Sequence, residues 1–344
     1  NVKIISKGGE LRHNFGQVTT EDGIYKNSIT IPSMDWYAEN ILFVTGEYYG
    51  TEKTIEKEFT VFRQRGSAIS QAEESGPNTG GSCTEVSPVS VASQDDTPRS
   101  IAFSTDGLKM FILGFSGLDV NEYTLAGPYC LGTASFVDSF SVQSEDSQPQ
   151  GLTFTDDGLK MFVVGKTNDK IFQYTLAENF DVSTASYASK SCDVSSQVSD
   201  GPEDIAFSVD GLKMFVIGYA STQAAVYQYS LYENFDVSTC SYASKTVSIA
   251  ARDSDPTGIA FTDDGLKMFV LGQNNKNVYQ YTLSDNFDIS TASYTKSFSV
   301  NNQETKPSGM AFDPSGRYMF IVGIDGDDVT VYKLSENFDV STAV

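Results

Sequence analysis

The residues with chemical potential in this chain come in two repeated sets. Four acids each stand three residues ahead of a proline: Asp95 before Pro98, Asp146 before Pro149, Asp253 before Pro256 and Glu304 before Pro307. A carboxylate recurring at one place in a repetitive chain forms a near-ring of hard oxygen donors, the ligand type that Ca²⁺ takes. The same placement suits acids that each cap their own turn. The exit loop of the second repeat breaks the pattern with Ser199, although Asp200 and Asp204 lie close. The second set is polar and variable: Asn168 within 166–170, Asn274 within 273–277 and Asp327 within 325–328. Amides and carboxylates near tyrosine are the side chains that hold sugar hydroxyls.

Other chemistry is scarce. His13 is the single histidine, so His-based nucleophilic or metal chemistry has no residue to work with in 14–344. The four cysteines, Cys83, Cys130, Cys192 and Cys240, include no C-x-x-C pair, which leaves no firm metal site and speaks for disulfides. No G-x-S-x-G, phosphate-binding loop or G-x-G-x-x-G is present. Glycoside hydrolysis needs paired carboxylates with different roles, whereas the acids picked out above repeat from copy to copy. These residues lead to the expectation of a protein that is not an enzyme.

The elements that position them follow from an internal repeat. The segment Ile101–Phe111 recurs as Leu152–Phe162, Ile205–Phe215, Ile259–Phe269 and Met310–Phe320, and the turn glycines at 107, 158, 211, 265 and 316 are 51, 53, 54 and 51 residues apart. Each copy reads as four strands. A short apolar run leads through an Asp-Gly turn (Ser-Gly in the last copy) to a fully apolar run such as Lys267–Gly272. A third, alternating run such as Val278–Leu283 precedes Asn-Phe-Asp-(Val/Ile)-Ser-Thr in four copies, at 179–184, 234–239, 286–291 and 337–342, and a polar fourth run follows. Four antiparallel strands per repeat, grading from buried to wet, are propeller blades.

The fifth copy stops before its fourth strand, while an unmatched fourth strand, 85–91, precedes the first copy. Residues 85–91 are therefore expected beside Val329–Leu334, closing an all-β, five-bladed propeller over 83–344 and removing the exposed sheet edges. Cys83 falls at this seam and is expected to pair with Cys130. Cys192 and Cys240 either pair with each other or stay as buried thiols. Residues 1–65 read as a small immunoglobulin-like β-sandwich, incomplete at its start, and 66–82 as a flexible linker rich in Gly and Ser.

The net charge is −22. Within it, 83–344 carries 15 basic and 34 acidic residues, a balance that repels nucleic acid and anionic lipid. No apolar run is long enough to span a membrane.

The motif D-G-L-K-M-F-V-x-G…V-Y-Q-Y-T-L-x-x-N-F-D-V-S-T-A-S-Y, carried by 157–187 and 210–242, resembles propeller repeats of secreted proteins from marine archaea and bacteria and of some phage tail proteins. The stretch from Asp22 through Ile29-Thr30-Ile31-Pro32 to Ile41–Tyr48 is similar to immunoglobulin-like modules of archaeal cell-surface proteins. The resemblance implies an extracellular or cell-surface protein. Together with the sequence, it gives the expectation of a structural or adhesive subunit that joins copies of itself into a filament or array through strand complementation of the N-terminal sandwich. The alternatives are a glycan-binding, lectin-like propeller on a stalk and a glycosidase. No cofactor is expected beyond Ca²⁺ at the acid ring.

Overall fold

The computed structural model describes residues 88–220 and 223–344, together with four short strands nearer the N-terminus. The chain divides into two units, Asn1–Gln64 and Arg65–Val344. In the first, Lys3–Ile5 pairs antiparallel with Leu11–Asn14, and Val44–Tyr48 with Thr51–Ile55. The rest of the expected sandwich, the linker 66–82 and Cys83 lie outside the described residues.

The described residues of the second unit form five four-stranded antiparallel sheets; four have their strands in sequence order from the innermost outward, and the fifth takes its outermost strand from the start of the unit. The innermost strands are Pro98–Phe103, Pro149–Phe154, Pro202–Phe207, Pro256–Phe261 and Pro307–Phe312. The second strands begin just past the Asp-Gly turns and run as Lys109–Gly114, Lys160–Gly165, Lys213–Ala220, Lys267–Gly272 and Tyr318–Gly323. Burial on both faces explains why these second strands are apolar without alternation.

The closure follows the expectation in the part that is described. The fifth sheet takes Val89–Ser90 as its fourth strand, with Ser90 opposite Asp328 and Val89 opposite Val329. The Val91 amide donates to the Asp327 carbonyl at 2.8 Å. At the other end of the same edge, Lys333 and Val344 exchange backbone hydrogen bonds of 3.0 and 3.2 Å.

Each second strand contributes one fully buried phenylalanine that packs on a phenylalanine of the next blade. The pairs are Phe111–Phe154, Phe162–Phe207, Phe215–Phe261, Phe269–Phe312 and Phe320–Phe103, with ring centroids 4.4–4.7 Å apart. The fifth pair joins blade five to blade one, so the aromatic ring closes as the sheets do. Burying one such side chain contributes about 1.5–3 kcal/mol, and the tilted pairing adds to that.

The Asp-Gly turns have their own fixture. In blade three Gly211 sits at φ +66°, and a Cβ there would meet the Phe235 ring at 2.3 Å. Phe235 itself adopts φ 53°, a costly left-handed state for a bulky residue. The ring lies over the turn, and the Phe235 carbonyl accepts from Lys160 Nζ of the preceding blade at 3.2 Å. Phe180, Phe287 and Phe338 accept from Lys109, Lys213 and Lys267 in the same way. The Asn-Phe-Asp motif is therefore a clasp between blades.

Cys192 and Cys240 form a disulfide between the outermost strands of blades two and three. Cys130 is disulfide-bonded as well; its expected partner, Cys83, lies outside the described residues.

Candidate functional site

The two ends of the ring differ. At the turn end lie the Asp-Gly hairpins and the Phe clasps. At the other end, here called the mouth, each chain segment enters an innermost strand, and the second strand turns into the third.

The four repeated acids sit at the mouth, and their own loops occupy them. Asp95 accepts from the amides of Thr97 at 2.7 Å and Gly117 at 2.6 Å. Asp146 accepts from Gln148 at 2.7 Å and Asn168 at 3.0 Å. Asp253 accepts from Asp255 at 2.8 Å and Asn275 at 2.8 Å. Glu304 accepts from Lys306 at 2.6 Å and Gly326 at 3.3 Å. All four are buried. Each ties the turn into its innermost strand to the loop leaving its second strand, an arrangement that satisfies the backbone donors of both loops. Among the described residues, no group of three or more His, Cys, Asp or Glu is placed to hold a metal ion.

The variable loop residues are drawn into the same fixture. The Asn168 side chain donates to Asp146 at 3.1 Å and to the Glu145 carbonyl at 2.9 Å. The Asn274 amide reaches Asp253 at 3.3 Å, and its carbonyl accepts from Lys276. Asp327 gives its carbonyl to the seam strand, and burial followed by the charges of Asp96, Asp95 and Asp325 pushes its carboxyl up.

Blade three departs from this scheme. The amides of Asp95, Asp146, Asp253 and Glu304 each donate to the carbonyl four residues earlier, and Val198 does so in blade three, to Val194 at 2.9 Å. The residue equivalent to the acids is thus Val198, not Ser199. One residue is inserted before Pro202, and Gly201 takes φ +115° to accommodate it. The second and third strands are also longer here, Lys213–Ala220 and Gln223–Leu231.

Charged groups particular to one blade gather around this departure. The residue after the first-strand proline is Arg99, Gln150, Glu203, Thr257 or Ser308 in the five blades. Thr257 and Ser308 hold the structure together by donating to the carbonyls of Pro307 and Pro98 at 3.1 and 2.7 Å. Glu203 instead forms an ion pair with Lys166 of blade two. Burial raises the Glu203 carboxyl against the pull of Lys166 and Arg99, with Asp255 adding to the rise. Burial draws the Arg99 guanidinium down, opposed by the charges of Glu203, Asp95 and Asp255. Its carbon lies 4.8 Å from the Phe115 ring centroid, and its Nε is buried without a hydrogen-bond partner. Tyr219, on the lengthened strand of blade three, donates to Asp255 of blade four, and Lys166 Nζ lies 5.8 Å from the Tyr219 ring centroid.

Arg99, Lys166, Glu203, Tyr219 and Asp255 therefore bring four blades into one electrostatic cluster. It holds a buried carboxyl with a raised pKa, two cations and a phenol, the components of acid–base chemistry beside a stabilised anion. Sequence reasoning passed over it by comparing acids three residues before each proline. The signal lay just after the proline, where Pro-Arg-Ser, Pro-Gln-Gly, Pro-Glu-Asp, Pro-Thr-Gly and Pro-Ser-Gly differ in every blade.

A family profile described as "Lactonase, 7-bladed beta-propeller" matches residues 132–339. No curated protein matches the sequence. Among solved structures, the chain is similar to a protein from Lactobacillus plantarum, with 15% identity over 72% of this chain and 69% of that one, at a TM-score of 0.45. It is also similar to Kuenenia stuttgartiensis hydrazine synthase, with 14% identity over 70% and 97% of the two chains and a TM-score of 0.42. A third is the periplasmic gluconolactonase of Pseudomonas aeruginosa, with 18% identity over 72% and 68% and a TM-score of 0.40. Likenesses this distant carry no argument about activity.

The family match overturns the expectation of a non-enzymatic structural or adhesive protein, and the filament, adhesion and lectin-like readings go with it. Its physical root was the judgement that this propeller's acids all repeat, which Glu203 and its neighbours contradict. The family is described as seven-bladed, whereas the described residues of this chain form five blades. With the profile matched from the end of blade one into blade five, the chain belongs to the lactonase β-propeller family.

Proposed function

We propose that the protein is a hydrolase that opens lactone rings at the mouth cluster. Water adds to the ring carbonyl carbon as Glu203 takes its proton. The oxyanion that forms is stabilised by Lys166 and Arg99. The ring C–O bond then breaks, and the proton passes from Glu203 to the departing alkoxide, giving a hydroxy acid. Tyr219 and Asp255 form the wall opposite Lys166 and orient its ammonium group.

The observation that carries this reading is the pair of the buried Glu203 with the partly exposed Lys166, which has no counterpart at this position in the other described blades, in a chain of the lactonase family. A carboxyl whose pKa is lifted by burial takes up a proton more readily than one at its ordinary value. The test is base consumption at constant pH with unsubstituted γ- and δ-lactones, with NMR identification of the hydroxy acid. Enzyme-dependent ring opening above the spontaneous rate is expected. Spontaneous rates across the whole panel would overturn the proposal.

A further inference from the structure

Along the propeller axis, from the middle of the ring to the turn end, runs a cavity of about 260 Å³. Small side chains make its wall: Ala102, Thr153, Ala206, Ala260 and Ala311, one per blade. Each is followed by a phenylalanine of the aromatic ring, also in the lining, such as Phe207 or Phe261. At its inner end the five equivalent positions are Ser100, Gly151, Asp204, Gly258 and Gly309. Only Ser100 and Asp204 of these line the space.

Asp204 is the unusual element. It is 5% exposed and lies with the buried Ser100 among Ile101, Leu152, Ile205, Ile259 and Met310. It accepts from the Ile259 amide at 2.9 Å and also from the Ile205 amide, and its other oxygen approaches Gly151, where a Cβ would come within 2.5 Å of it. No cationic side chain forms an ion pair with it among the described residues. A buried carboxylate without a counter-charge is costly unless it is neutralised or meets a cation. The outer end of the cavity carries the exposed carboxylates of Asp156 and Asp263, which raise the local concentration of cations.

We propose that this axial cavity binds a small organic ammonium ion, its apolar body within the alanine-lined channel and its N–H groups on the Asp204 carboxylate. The shape selects the body, since five small residues leave room for one ring or a short chain. The single acid selects the head group, because an N–H···carboxylate contact is a strong, charge-assisted hydrogen bond. The site opens toward the turn end rather than the mouth, although Glu203 precedes Asp204 in the chain and its charge acts on it, and it does not depend on the hydrolysis proposed at the mouth.

The experiment is calorimetric titration of the intact chain with cyclohexylammonium and with cyclohexanol, which share a ring and differ in charge. Cyclohexylammonium is expected to bind at least about 10-fold more tightly than the alcohol. Asp204→Asn should remove that preference, and Ala260→Leu, which fills the channel, should weaken both ligands. Tyr219→Phe, at the mouth, should leave cyclohexylammonium binding unchanged, which separates this site from the mouth. Equal affinity for the two ligands would overturn the proposal. So would ammonium binding that survives both Asp204→Asn and Ala260→Leu, because it would then belong to the surface acids.

Discussion

Blade three and the other blades share one framework and differ at one end. At the turn end blade three is a faithful copy, with the (Ser/Thr)-x-Asp-Gly hairpin of blades one, two and four, the same kind of clasp by Phe235 and an equally buried Phe215. At the mouth it drops the loop-binding acid for Val198, inserts a residue near Gly201 and lengthens its hairpin to carry Tyr219. Repetition marks what every blade needs in order to stack. Departure from it marks where one blade has been released for another task. The repeated acids therefore act as loop fasteners, while the unrepeated Glu203 and its neighbours are the group to which the chemistry is assigned.

That contrast can be tested from the framework side first. Phe215→Ala should destabilise the protein by about 3–5 kcal/mol, read by denaturant unfolding, and Phe111→Ala in blade one should cost the same to within about 1 kcal/mol. A much cheaper Phe215→Ala would mean that blade three is loosened throughout, and the comparison would fail. Reducing Cys192–Cys240, or replacing both with serine, should cost about 2–4 kcal/mol through the 48-residue separation it closes. This brace joins the divergent blade to its neighbour, so lost stability with intact secondary structure is the expected result by circular dichroism.

An effect of similar size to the disulfide's concerns pH. Burial lifts Asp204 from its ordinary 3.8 to about 7. An acid raised on folding favours the folded state below its unfolded pKa, and that stability is lost as pH rises through the folded value. Between pH 4 and pH 8 the stability of the wild type relative to Asp204→Asn should therefore fall, by roughly 2–4 kcal/mol. A difference that stays flat over this range would show that Asp204 is not held in a dry site.

Much of the framework was legible in the sequence because it rests on local rules repeated five times. Asp-Gly turns, apolar second strands and the strand pattern at the two ends of the repeat led to the blade number and to the closing strand. Asn-Phe-Asp was readable as a turn but not as a clasp, since the Phe carbonyl receives a lysine some 71–75 residues away in sequence. The functional cluster was harder to see for a related reason. Arg99, Lys166, Glu203 and Asp255 are adjacent only after four blades have closed around one axis, and a single inserted residue hid the equivalence of Val198 with the acids.

The central claim is that chemistry belongs to the unrepeated carboxylate and structure to the repeated ones. The direct measurement is lactone turnover by Glu203→Gln beside Asp253→Asn, each checked for folding. Glu203→Gln should lower kcat about 100-fold or more with little change in unfolding midpoint, whereas Asp253→Asn should lower the midpoint and leave kcat within a few-fold. Equal losses of kcat in the two variants, or full activity in Glu203→Gln, would contradict the account.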